Sequence, residues 1–255
     1  MAGTKPGIQS DHTLIAIIEH LSTQGGAGVT EISNTIDVSK STVHKHLQSL
    51  EQHGYVANHG SNGYKLTFQF LTHGGRIRED CQLYRTAKKN ADSLAESTGE
   101  LVTIPIKEGI EGVFAYVRNN KFTSIGDLCH PGERFQLHAS AAGKAILSAC
   151  EPEYVSEYIE RTGLAKITEN TITNPREFQE ELETIRDQGY ATSAEERINE
   201  VQAVAAPVTD DEQDMIGAVS LSMPVNKLSE ERLQKEYAEQ VVNTATQTKI
   251  ELRHK

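Results

Sequence analysis

Cysteine is scarce in this chain of 255 residues, and no two cysteines stand close enough to matter together. Cys81, Cys129 and Cys150 are odd in number and far apart, with no Cys-x-x-Cys pair, so neither a zinc ribbon nor a disulfide framework is expected. Three reduced thiols, mostly packed, is the reading that remains. Long apolar runs are missing too, and nothing in the sequence approaches the length needed to cross a bilayer. The opening MAGTKPGIQSDHTL lacks the basic start and apolar core of a signal peptide, so a cytoplasmic location is expected. Catalytic signatures are equally absent. No Gly-x-Ser-x-Gly elbow, His-Glu-x-x-His or phosphate loop accompanies His138-Ala139-Ser140 or Glu195-Glu196. Adjacent glutamates on a strand would face opposite ways, which makes a poor acid/base pair, and His138 reads as a packed or capping residue. No enzyme, metal or cofactor is expected.

What the chain does have is an ordinary globular composition, 37% hydrophobic and 24% charged, at a length that fits one large domain or two unequal ones. The net charge of −11 is unevenly spread. Residues 1–75 set four lysines against five carboxylates, a balance of −1, and hold seven of the ten histidines. The remaining −10 belongs to residues 76–255, where it disfavours non-specific binding to nucleic acid or membrane.

Leu14, Ile17, Ile18 and Leu21 recur at helical spacing and predict an amphipathic helix that ends before Gly25-Gly26-Ala27-Gly28. A short helix follows from Val29-Thr30, with Thr30 as the expected N-cap and Ile32 and Ile36 inward. Asp37-Val38-Ser39 makes the turn. A third helix, SKSTVHKHLQSLEQHG, is capped by Ser39 and stopped by Gly54. Its apolar stripe is Val43, Leu47 and Leu50. At about 100° per residue, Ser41, Lys45 and Gln48 point the other way, flanked by Thr42, His44 and Ser49 and preceded by Lys40. Hydroxyls near a helix start suit phosphates, and Lys45, His44 and Gln48 are long enough to reach base edges. YVANHGSNGYKLT then reads as two short strands around His59-Gly60-Ser61-Asn62-Gly63, with Asn62-Gly63 as the turn signal, a wing whose Lys65 can lie along DNA. A polar helix face on a protein-docking module is the alternative reading.

Three stretches, SKSTVHKHLQSLEQHGYV, PGERFQLHASAAGKAIL and GYATSAEERINEVQAVAAPVTDDEQDMIGAVSLSMP, resemble the IclR family of transcription regulators in composition and in order, from about residue 10 to 250. The resemblance implies an α+β chain: a winged helix-turn-helix over 1–75, a linker and dimerisation helix over 76–98, and a GAF-like effector domain with an antiparallel sheet over 99–255. It also implies an operator DNA, a small-molecule effector, and a homodimer or a tetramer of paired dimers. The residues fit independently. Ile77, Cys81, Tyr84, Ala91 and Leu94 follow a near-heptad path to Gly99, the narrow stripe of a connector that pairs with a copy of itself or packs on its own domain. Strand-like runs LVTIPIK, VFAYVRNNKFTSI (turn at Asn119-Asn120), AVAAPV and MIGAVSLSM alternate with helical runs beginning near Ala139, Pro152 and Pro175 and from Ser229.

Carried over by position, the family's effector pocket places ligand-receiving backbone groups at Ala141 and Ala142, at a helix start that suits an anion. Ser220 and Ser222 alternate with Val219 and Leu221, so both hydroxyls share one strand face. Phe135 and Val201 are expected to form an apolar wall. Ser193 stands where the family often has an acid, Ala203 where some relatives have cysteine, and Glu200 where glycine is common. The expected ligand is a small organic or sugar-derived acid, and the expected role is control of a catabolic operon. The competing expectation is a DNA-binding dimer whose C-terminal domain only oligomerises.

Overall fold

The computed structural model of the chain describes residues 7–119, 129–210, 214–227, 229 and 233–254. Two compact units divide it, Met1–Ile77 and Arg78–Lys255.

In the first unit, α1 (Gln9–Gln24), α2 (Val29–Ile36) and α3 (Lys40–Gln52) precede β1 (Val56–Asn58) and β2 (Tyr64–Leu66). Ile17, Leu21, Ile32, Val43 and Leu47 are fully or almost fully buried and pack with Leu50, Val56 and Tyr64 into one core. These are the residues that helical spacing selects, so periodicity alone assembles this unit. The N-cap of α2 is Gly28 instead of Thr30. Ala27 pairs both ways with Tyr64 through backbone bonds of 3.0 and 2.9 Å, which holds the chain extended to Gly28 and starts the helix at once. Ser39 caps α3 as expected, its Oγ accepting from Thr42 N–H at 3.2 Å. β1 and β2 pair antiparallel, Val56 opposite Leu66 and Asn58 opposite Tyr64. The tip between them is His59–Gly63, as expected, and holds a 3-10 turn at Gly60–Asn62. His59 N–H donates across it to Gly63 O at 2.8 Å. Gly63 has φ of 71°, and a Cβ there would meet Ala27 carbonyl atoms at 2.4 Å, so only glycine fits.

The connector is two helices, α4 (Gln69–Asp80) and α5 (Gln82–Thr98), where the sequence predicted one over 76–98. Cys81 is extended (ψ 109°) and caps α5, its Sγ accepting from Tyr84 N–H at 3.4 Å. No proline or glycine announces this break. Tyr84 is buried, and Ala91 and Leu94 are spent within their own domain, against the sheet, which leaves Ile77 of α4 exposed.

The second unit is built on six antiparallel strands in the order β5-β4-β3-β8-β7-β6. They are β3 (Leu101–Glu108), β4 (Glu111–Arg118), β5 (Arg134–Gln136), β6 (Ala191–Ala194), β7 (Val201–Asp210) and β8 (Met215–Pro224). Helices α6 (Ala141–Ser148), α7 (Pro152–Thr162) and α8 (Pro175–Gln188) lie between β5 and β6 in sequence, and α9 (Glu239–Leu252) closes the chain. The turn expected at Asn119-Asn120 and the start of the last helix run outside the described residues. Strand alternation sorts the side chains by size. Val102, Ile104, Val204, Val219, Leu221 and Met223 face α5 and α9. Leu101, Ala203, Ala205 and Ala218 face α6, α7 and α8. Each large residue on the first face contributes about 1.5–3 kcal/mol by burial. The second face carries alanine and serine, and the small side chains leave room beneath α6.

Candidate functional site

On α3, Lys40, Ser41, His44, Lys45 and Gln48 are exposed and Thr42 is half-buried, while Val43, Leu47 and Leu50 are buried. Ser39 Oγ lies 2.9 Å from both Ser41 Oγ and Thr42 Oγ1, so three hydroxyls gather at the helix start. No acid occupies the first turn of α3. An anion therefore meets oriented N–H groups and hydroxyls there without a competing carboxylate. Lys65 is exposed on the wing strand β2, opposite Ala57.

In the second unit, strand register lines up two rows of side chains. One reads Leu101, Ser222, Ala203, Ser193 across β3, β8, β7 and β6. The next reads Thr103, Ser220, Ala205, Ala191. Above them sits the start of α6. Between lies a cavity of about 60 Å³. At ~10–15 Å³ for each water-sized group, it holds about four to six such groups. Ala141, Ala142, Ser193, Val201, Ala203, Ser220 and Ser222 all line it. Phe135 does not. Its ring fills the space over Gly112, where a Cβ would meet it at 2.3 Å. It stacks on Phe114 at 4.6 Å between centroids, and Phe114 supplies the wall.

Sequence reasoning missed several lining residues: Leu101, Thr103, Phe114, Cys129, Ser140, Ile198 and above all Arg197. The Arg197 guanidinium lies 5.2 and 5.4 Å from the ring centroids of Phe114 and Phe135, and donates from Nη2 to Glu133 at 2.7 Å. Position after a glutamate pair was its only sequence signal. Burial pushes the Cys129 thiol up to about 11, so it lines the cavity as a neutral group. Ser140 caps α6, accepting from Gly143 N–H at 3.1 Å, and its carbonyl accepts from Lys144 N–H at 2.9 Å. Among the described residues, the N–H groups of Ala141 and Ala142 make no hydrogen bond.

A buried ionic cluster ties this helix to the loop that bears Arg197. Lys144, on α6 and 2% exposed, donates to Glu181 of α8 and to Glu196, each at 2.8 Å. Burial pushes the Glu196 carboxyl above its ordinary value, and the Lys144 ammonium pulls it partway back. Glu195 and Glu200 adopt left-handed φ of 59° and 64°, a conformation that favours glycine. His138 is wholly buried, between Tyr158 Oη (2.9 Å) and Ala165 O (2.9 Å). The carbonyl requires an N–H, so Nε2 carries the proton and Nδ1 accepts from Tyr158. Burial lowers the His138 pKa, which keeps the ring neutral. Among the described residues, no group of three His, Cys, Asp or Glu side chains is placed to hold a metal.

The family model for the bacterial transcriptional regulator IclR C-terminal domain matches residues 77–250, and the IclR helix-turn-helix model matches 14–60. The chain belongs to the IclR family. It is 31% identical to the HTH-type transcriptional regulator KdgR of Escherichia coli K12, over 87% of this chain and 84% of that one. Its fold matches the crystal structure of Thermotoga maritima IclR with a TM-score of 0.78 at 28% identity, covering 96% and 97% of the two chains. An IclR homologue from Microbacterium hydrocarbonoxydans, solved with 4-hydroxybenzoate, superposes with a TM-score of 0.81 at 18% identity over 97% and 100%. This IclR-family chain is thus a DNA-binding transcriptional regulator with a winged helix-turn-helix and an antiparallel α+β domain, and the relatives it matches are regulators, not enzymes. No described helix is long and apolar enough to cross a membrane.

Proposed function

We propose that α3 enters the major groove of an operator while the wing and Lys65 follow the neighbouring backbone, and that the C-terminal domain senses a small organic or sugar-derived acid. The observation that carries the first half is the exposed face of Ser41, His44, Lys45 and Gln48 opposite the buried Val43, Leu47 and Leu50. The cavity between the α6 start and the serine-bearing strands supports the second half, and it argues against a domain that only oligomerises. The protein works in the cytoplasm as a homodimer at least, because one winged helix reads few bases and two related by symmetry read a palindrome. Exposed Phe68, Leu71 and Ile77 on and beside α4 supply apolar surface for pairing. Control of a catabolic operon fits a sensor of acids from carbon sources.

The test is operator binding by Lys45→Ala, read with light scattering of the same samples. A phosphate or base contact by Lys45 is worth about 1–3 kcal/mol, a loss of roughly 5- to 150-fold. Unchanged affinity and salt dependence would remove α3 from the groove, and a monomer on and off DNA would remove the dimer.

A further inference from the structure

The cavity holds polar groups whose bonding is unfinished. Thr103 and Ser220 are 3% and 2% exposed and stand opposite each other on β3 and β8. Both hydroxyls line the cavity, and among the described residues neither makes a hydrogen bond. Neither oxygen is sealed in the core; both residues open onto the cavity and offer hydroxyl donors to a ligand with oxygens of its own.

Charge narrows the ligand further. Arg197 is the one charged side chain among the cavity's described lining residues, and no carboxylate lines it. The guanidinium lies beside the stacked Phe114 and Phe135 rings, 5.2 and 5.4 Å from their centroids, while Glu133 engages Nη2. The two rings and the carboxylate together hold the guanidinium in place. Five donors in a rigid fork exceed what a single carboxylate oxygen can use, so further N–H groups remain for an anion. A second anion position exists across the same small space, at the open N–H groups of Ala141 and Ala142.

We propose that Arg197 sets the specificity of this pocket, and that its ligand is a short dicarboxylate bridging Arg197 and the start of α6. This deepens the sensor reading above and rests on it. A three- or four-carbon chain suits about 60 Å³, because bonded atoms pack closer than separate waters. One carboxylate meets the guanidinium and the other meets the helix start, while Thr103 and Ser220 donate to whichever oxygens face the sheet. Since Lys144 of α6 is bound to Glu196, the neighbour of Arg197, such a ligand spans two segments already linked behind it.

Calorimetry on the full-length protein tests this with malonate, succinate and L-malate against the half-amides malonamate and succinamate. At least one diacid is expected to bind, and its half-amide to bind about 10- to 100-fold more weakly, the worth of a charge-assisted contact. Arg197→Met is expected to lower diacid affinity by a similar factor and to bring the diacid/half-amide ratio close to one, while Arg197→Lys falls between. The wild-type diacid/half-amide ratio keeps the test independent of any variant's folding. Equal binding of diacid and half-amide, or undiminished diacid binding by a folded Arg197→Met, overturns the assignment. Should only sugar acids or aromatic acids bind, with loss in Ser220→Ala/Ser222→Ala, the sensor reading stands and the dicarboxylate falls. A panel with no binder at all overturns both.

Discussion

Replacing Gly143 with alanine separates two arguments that give opposite signs. Gly143 lies inside α6, where helix propensity alone favours alanine by about 1 kcal/mol. The structure reverses this. A Cβ at Gly143 would stand 1.9 Å from Leu137 O, 2.4 Å from Leu137 Cα and 2.5 Å from its carbonyl carbon. Ordinary carbon contacts need about 3.5–4.0 Å, so helix and turn must part by more than ~1 Å. Neither side yields easily. Leu137 is fully buried, and the neighbouring His138 is fixed by Tyr158 and Ala165. Overpacking by side chains costs about 1–3 kcal/mol, and forcing apart two backbones that are both fixed exceeds this, at about 3–5 kcal/mol. The expected net loss is therefore about 2–4 kcal/mol after the propensity gain. For a domain of this size each kcal/mol lowers the melting temperature by about 2–4 °C, giving a fall of ~5–15 °C by calorimetric scan. Gly112→Ala is the control, because its Cβ would meet the end of the Phe135 ring, a side chain that can shift. It is expected to cost less than Gly143→Ala. An unchanged or higher melting temperature for Gly143→Ala would refute the close approach of α6 to Leu137.

Two further outcomes follow from burial. Lys144→Met leaves Glu196 in the core without its cation and is expected to cost about 3–5 kcal/mol at pH 8. Because the folded pKa of Glu196 is raised, the folded state binds the extra proton, so the loss shrinks as pH falls towards 5. Denaturant melts at the two pH values check this, and a pH-independent deficit would refute it. With Cys129 and Cys150 pushed up to about 11 by burial, about one thiol in a thousand is ionised at pH 8. A disulfide reagent is expected to modify them only as fast as the protein opens, and rapid labelling of the native protein would contradict their burial.

Much of the first unit was legible because its information is local. Three apolar stripes, the Ser39 cap and the Gly25 and Gly54 stops each act within a turn of helix, and the structure adds only Gly28 as a cap and a 3-10 wing tip. In the second unit, the alternation of Ser220 and Ser222 with Val219 and Leu221 already put both hydroxyls on one face. The three-residue β5 and four-residue β6 escaped, because strands that short carry almost no periodicity.

Tertiary structure alone decided the rest. Cys81 breaks the connector with no glycine or proline to mark it, since docking α5 on the sheet, not local preference, sets where that helix begins. Phe135 gives up the cavity wall to Phe114 because Gly112 leaves a ring-sized space on the adjacent strand, visible only once the register is known. Arg197 and Glu133 are 64 residues apart, and Lys144 and Glu196 are 52 apart. A sequence displays which charges exist, but pairing across such separations depends on how strands and helices stack. The amino acids by themselves therefore determined the longer elements, their faces and the family. Only the packed chain decided which charge reaches the cavity, because desolvation and distance, unlike periodicity, have no expression along the chain.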